Sequence, residues 1–143
     1  MEVKPMRLEI LTPTQVVVKS KAKYVIIPSD VGELGIFEGH SPLVTKLKSG
    51  VLSYQVGSVM HKVAVHFGYA EIRENQIYIL ADQAEKPDEI DLEKARKDQE
   101  EAENELKGIF NAEEMKVKAI ETHKKLMRAK TRQEIFTANP APM

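Results

Sequence analysis

The chain has 143 residues, a formal net charge of −1, 30% charged residues and no cysteine; its length allows about two-thirds of the unfolded surface to be buried in one or two small domains. The near-neutral balance gives no electrostatic reason to bind nucleic acid, and the lack of cysteine excludes disulfides, iron–sulfur clusters and thiolate zinc sites. No apolar run nears the roughly 18 residues of a membrane helix, and "MEVKPMRLEI" lacks the pattern of a signal peptide, so any membrane association is expected to come through a partner.

From Met6 to about Ala81 the chain reads as short apolar runs: "RLEILT", "QVVVKS", "KYVIIPS", "VLSYQV", "MHKVAVHFG", "YAEIRE" and "QIYILA". Val, Ile and Tyr dominate them, and Gly50, Gly57, Gly68 and the Glu74-Asn75 pair punctuate them as turn signals. Many short strands at close spacing predict a sandwich or a barrel. "GELGIFEGHSPLV", Gly32 to Val44, stands apart because it sets Leu34, Ile36 and Phe37 between glycines, which weaken strand interiors and mark bulges or close backbone approach.

After Pro87 the period changes to about 3.5. Leu92, Ala95, Ala102, Leu106 and Ile109 form a seam on one helix face, with Asp88 or Asp91 as N-cap and Gly108 as the C′ residue. Asn111 with Glu114 reads as a capping box for a second helix, whose apolar stripe is Met115, Ala119, Ile120, His123, Leu126 and Met127. The short break predicts an antiparallel hairpin. Residues 88–114 carry eleven acidic and four basic residues, while 115–132 carry seven basic and one acidic. The helices attract each other, but each exposed pair contributes only about 0.3 to 0.5 kcal/mol. An alanine-rich seam buries little area, so the hairpin is expected to dock reversibly. The division predicted is residues 1–86 as a sandwich domain, 87–136 as a hairpin domain and 137–143 as a flexible tail.

No catalytic constellation is present. "GELGIFEG" lacks the Gly-Lys-Ser/Thr of a phosphate loop. His61 and His66, five apart, point to opposite strand faces, and His40 and His123 are remote, so no metal set is expected. His40 reads as a turn or interface residue. The carboxylates of "DEIDLEKA" suit a helix start; the cations of "KKLMRAKTR" suit a solvated face or a patch for anions. Arg128 and Arg132, four apart, share a face that could clasp one anion.

"GELGIFEGHSPLVTKLKSGVL", Gly32 to Leu52, closely resembles the signature of the epsilon subunit of bacterial F-type ATP synthase, with its Gly-Glu-Leu-Gly-Ile stretch, Gly-His-x-Pro-Leu turn and Lys-x-Gly turn in the same order. The resemblance covers about residues 3 to 135. It implies a β plus α fold, a ten-stranded β-sandwich followed by a C-terminal antiparallel two-helix hairpin. It also implies a non-catalytic rotor subunit of the proton- or sodium-translocating enzyme, bound to the gamma subunit and c-ring, beside the alpha and beta subunits. By position in the motif, Glu33 and His40 are implied to face the c-ring. Glu38 departs from the pattern, since many relatives have proline there. The implied location is the cytoplasmic face of the bacterial inner membrane, peripheral and attached only through the c-ring.

The resemblance further implies regulation: the hairpin folds on the sandwich or extends into the catalytic hexamer, where Lys124, Lys125, Arg128 and Arg132 would meet acidic beta-subunit loops and block ATP hydrolysis. No cofactor is expected, except ATP as a regulatory ligand in some relatives, through an Ile-Asp-x-x-Arg-Ala motif and second-helix arginines. Here the matching residues are Glu85, Ile90, Asp91, Lys94, Ala95, Arg128 and Arg132. Lys94 replaces the forked arginine, and Glu101 stands where an ATP-binding relative has another arginine. The rival functions are a free-standing ATP-sensing module and an adaptor domain that oligomerises through its hairpin.

Overall fold

A computed structural model describes residues 4–108 and 113–137, with residues 113–115 as backbone only. The Asn111–Glu114 capping box and residues 138–143 of the expected tail lie outside what is described. Eight strands come first: β1 (Met6–Leu11), β2 (Val16–Ala22), β3 (Tyr24–Ser29), β4 (Gly32–Phe37), β5 (Leu43–Leu47), β6 (Gly50–Val56), β7 (Val59–Arg73) and β8 (Gln76–Glu85). A 3-10 turn at Pro87–Glu89 leads into α1 (Leu92–Lys107) and then α2 (Glu113–Glu134).

Ten strands were expected and eight are found, because β7 and β8 each run through both layers of the sandwich. The first half of β7 pairs with β6 and with the end of β8; its second half pairs with β5 and the start of β8. One layer is therefore β2, β1, β8, the second half of β7 and β5. The other is β4, β3, β6, the first half of β7 and the end of β8. Five strand segments stand in each layer, so the architecture is the one expected. Alternate residues of these strands, among them Leu8, Ile10, Val25, Ile27, Ile36, Leu52, Val65, Ile72, Ile77 and Ile79, fill the space between layers.

The turn of β7 from one layer to the other is made at Phe67 and Gly68, with φ of 62° and 112°. A Cβ on Gly68 would stand 2.0 Å from the Leu80 carbonyl oxygen, so only glycine allows the two backbones to meet. The puzzle of the Gly32–Val44 stretch resolves similarly. In β4, Leu34 and Ile36 face inward while Glu33, Gly35 and Phe37 face outward. The Phe37 ring lies beside bare Gly35, where a Cβ would stand 3.3 Å from its Cε2, and it stacks on Tyr24 at 5.5 Å.

Pairings of Thr122 with Glu105 and of Lys125 with Glu101 show the two helices to be antiparallel. Asp91, rather than Asp88, is the N-cap of α1, accepting from the Lys94 amide at 3.1 Å. Gly108 is the C-cap with right-handed φ of −88°, not a left-handed C′ residue. The α1 seam holds at Ala95 and Ala102, both buried. The α2 stripe shifts: Thr122, Leu126 and Ala129 are buried, whereas Ile120 and His123 are exposed. The stripe shifts because α2 packs on α1 along one face while Thr131 bonds the sandwich along another.

The corner makes a direct prediction. Gly68→Ala adds a clash with backbone and an unfavourable φ, at a cost above about 3 kcal/mol. Urea unfolding should show a lowered midpoint; a midpoint equal to that of the parent chain would contradict this account of β7.

Candidate functional site

The polar contacts between sandwich and hairpin converge on one buried histidine. His66, on the first half of β7, is wholly buried. Its Nε2 lies 2.8 Å from Glu85 Oε1 at the end of β8, and its Nδ1 lies 2.9 Å from the Ser49 hydroxyl between β5 and β6. From α2, the Thr131 hydroxyl reaches Ser49 Oγ at 2.8 Å and Arg132 Nε reaches Glu85 Oε1 at 2.6 Å. The two ends of this five-residue chain are neighbours on α2.

The direction of each bond follows from the acceptor at its end. Glu85 is flanked by two donors, so it is a carboxylate and can only accept; His66 Nε2 therefore carries the proton. Its Nδ1 then accepts from Ser49, whose oxygen in turn accepts from Thr131. Burial holds the His66 imidazole below the ordinary histidine range; the bond to Glu85 works against this, and the charges of Arg132 and Arg128 add to it. Burial alone would raise the Glu85 carboxyl, but the hydrogen bonds from His66 and Arg132 outweigh it and hold the group below the usual carboxylate range. Ser49, His66 and Glu85 superficially suggest a nucleophile, a base and an acid. However, Ser49 Oγ is occupied on both sides and His66 is closed to solvent, so no substrate can reach them.

Beside Glu85 opens a cavity of about 180 Å3 lined by Gln83, Glu85, Glu89, Asp91, Lys94, Ala95, Asp98 and Arg132. Of the seven residues expected to hold a nucleotide, it gathers Glu85, Asp91, Lys94, Ala95 and Arg132; Ile90 and Arg128 do not line it. Its lining carries four carboxylates against two cations. Glu101 lies elsewhere, bonded to Lys125 at 3.0 Å.

Three of the four cations expected to act on beta subunits are engaged inside the chain. Lys124 lies over the Phe67 ring at 5.4 Å, Lys125 pairs with Glu101, Arg128 lies close enough to His66 to oppose its protonation, and Arg132 bonds Glu85. Glu33 and His40 are both exposed, but β4 separates them along its length. His40 is a turn residue, its amide donating to the Phe37 carbonyl and its Nδ1 to Ser41. Glu38 accepts from the Lys4 amide at 3.0 Å, which pins the turn to the chain just ahead of the first strand.

Sequence reasoning missed Ser49, His66 and Thr131. The one available signal was a histidine within the apolar run "VAVHFG", whose preceding residues are buried on both strand faces. Among the described residues, no cluster of three or more metal-binding side chains occurs and no helix is long and apolar enough to cross a membrane.

Residues 5–87 match the family described as ATP synthase, Delta/Epsilon chain, beta-sandwich domain. The chain is 40% identical over 127 residues to the ATP synthase epsilon chain of Desulforamulus reducens, covering 89% of this chain and 96% of that protein. It is 35% identical over 125 residues to the epsilon chain of Microcystis aeruginosa, covering 87% and 90% respectively. Among solved structures, a chain of the Euglena gracilis mitochondrial ATP synthase OSCP/F1/c-ring assembly superposes with a TM-score of 0.78 at 20% identity, covering 96% of this chain and 85% of that one. At that identity the likeness establishes the fold.

The two hydroxyls bridge sandwich and α2 directly. Ser49→Ala or Thr131→Val should each weaken docking of α2 by about 1 kcal/mol, seen as faster amide hydrogen exchange in α2 with strand amides unchanged. Equal loss of protection in the strands would show instead that these hydroxyls support the sandwich itself.

Proposed function

The chain belongs to the ATP synthase epsilon chain family, and from that premise we propose that it is a non-catalytic rotor subunit whose hairpin restrains ATP hydrolysis when released from the sandwich. The observation that carries this reading is the engagement of Lys124, Lys125 and Arg132 within the docked chain. The folded form occupies cations that an extended hairpin would offer to acidic beta-subunit loops. Docking and inhibition then compete for one set of charges, and the hairpin inhibits only when undocked.

The sandwich supplies the fixed end of the rotor. Across its outer face, strand register aligns Tyr69 with Leu80, Leu80 with Leu11, and Leu11 with Val16. Tyr69, Leu80 and Val16 are about half exposed or more, an apolar row that suits the gamma subunit. The exposed β4 edge, from Glu33 to His40, faces the c-ring in this reading, with Phe37 and Val31 as apolar contacts. The subunit then sits peripherally at the cytoplasmic face of a bacterial membrane, held there through the c-ring. A free-standing ATP sensor is not favoured, because the relatives that match along most of the chain are ATP synthase epsilon chains.

ATP as a regulatory ligand is a second element of the proposal, favoured by the gathering of Glu85, Asp91, Lys94, Ala95 and Arg132 around one cavity. The excess of carboxylates and the commitment of Arg132 to Glu85 make binding weak: a phosphate must displace an existing ion pair and face like charge.

In complexes reconstituted with alpha, beta and gamma subunits, replacing Lys124, Lys125, Arg128 and Arg132 by alanine should raise ATP hydrolysis several-fold while assembly persists, and Leu80→Glu should weaken assembly. Unchanged hydrolysis, where the parent chain does inhibit, would sink the inhibitory role. For ATP, calorimetry should give a weak millimolar signal, strengthened by Lys94→Arg and lost in Arg132→Ala; no heat for the Lys94→Arg variant would remove ATP from the account.

A further inference from the structure

His66 is enclosed by residues of two kinds, those that remain when α2 leaves and those that depart with it. Ser49 and Glu85 belong to the sandwich and stay. Thr131, Arg128 and Arg132 belong to α2 and go. On the far side of Glu85 stand Glu89, Asp91, Lys94 and Asp98 around the cavity. Among the described residues, the positive charges that bear on the imidazole, Arg132 and Arg128, come from α2.

From this enclosure we propose that the hairpin dock is a proton-sensitive latch, with protonation of His66 releasing α2 and acidification therefore driving the hairpin toward its inhibitory form. The proposal rests on the preceding reading that a released hairpin inhibits, and gives that release a chemical trigger.

The sign follows from the groups present in each state. In the docked state His66 is buried, with Arg132 across the shared carboxylate and the Arg128 charge also opposing its protonation, so the neutral imidazole is favoured. A second proton would have to sit on Nδ1, which now accepts from Ser49. Protonation would reverse this bond: the Ser49 hydroxyl would have to give up its donation to Nδ1 and accept there instead, reorienting its bond with Thr131. In the released state the arginines are gone, the ring meets water, and Glu85 remains at hydrogen-bond distance to favour the imidazolium. The released state therefore binds the extra proton more readily. A group held below its released value in the docked state contributes docking stability that is full above the released pKa and declines as pH falls through it. The ordinary histidine value of about 6.5, raised by the neighbouring Glu85 in the released state, sets where the decline begins, and a one-proton linkage makes the opening equilibrium rise by at most about tenfold per pH unit. Glu85 contributes separately, in the same direction but at lower pH, because its docked carboxyl is held below the usual range.

The remaining histidines do not substitute for His66. His61 is exposed and stacked on Tyr54, His40 sits in the β4–β5 turn, and His123 is exposed on α2. None lies between the sandwich and the hairpin in the polar chain described above.

The test is native-state hydrogen exchange of α2 amides in the full chain from pH 5.5 to 8, corrected for the intrinsic rate at each pH. The opening equilibrium should increase several-fold between pH 7.5 and 5.5 in the parent chain and stay flat in His66→Gln. In Arg128→Gln, which relieves part of the repulsion in the docked state and leaves the released state unchanged, the rise should begin at the same pH but level off sooner, with a smaller total increase. Because His66→Gln could disturb the sandwich, the His66 ring is also titrated directly by NMR in the parent chain, where it should resist protonation well below 6.5. An opening equilibrium independent of pH, or a ring that titrates at the ordinary value while docked, would overturn the latch. If α2 opens only with global unfolding at every pH, the latch and the inhibitory reading fall together; if it opens locally but without pH dependence, the latch alone falls.

Discussion

One oxygen atom, Glu85 Oε1, receives both the His66 Nε2–H at 2.8 Å and the Arg132 Nε–H at 2.6 Å. The first donor belongs to the sandwich core and the second to α2. The carboxylate itself ends the last strand, just before the connection to the helices. It therefore stands beside the connection between the two parts, and the pairing is partly shielded, with Arg132 and Glu85 side chains 17% and 18% exposed. Removing either donor would leave a half-buried charge short of a partner, and this is why the contact is strong without being permanent.

The rest of the dock is built to be modest. Ala95, Ala102 and Ala129 give a close but small apolar seam between the helices, and Ile135 is the large apolar residue of the α2 end that is fully buried. Small side chains permit approach and contribute little transfer free energy. The balance is thus carried by polar and charged contacts, which other partners can replace in kind. A greasy seam would hold the hairpin down; a polar one lets acidic surfaces elsewhere compete for it.

The fold was legible in the sequence wherever one physical pattern acted alone. The strand pattern pointed to a sandwich or a barrel and the family resemblance to the sandwich, the change of period after Pro87 placed the hairpin, and Asp91 was among the caps foreseen. Errors arose where two demands met. The α2 stripe was assigned to Ile120 and His123 because periodicity presumes one buried face, whereas α2 meets α1 and the sandwich on different faces and buries Thr122 and Thr131 instead. Strand number was overstated because β7 crosses layers through Phe67 and Gly68 rather than ending there. The polar chain was invisible because Ser49 and Thr131 are 82 residues apart, and nothing in local propensity links them. Glu85 and Arg132 entered as candidates through the family resemblance, as ligands for ATP; the structure pairs them with each other.

The central claim is that Glu85 and Arg132 act as one latch between sandwich and hairpin. A double-mutant cycle with Glu85→Gln and Arg132→Gln, read as local opening of α2 by hydrogen exchange, tests it most directly. The account predicts that the two single variants each loosen α2 and that the double variant is scarcely looser than either, a coupling of about 1 to 3 kcal/mol. Additive losses, with no coupling between the two positions, would contradict it.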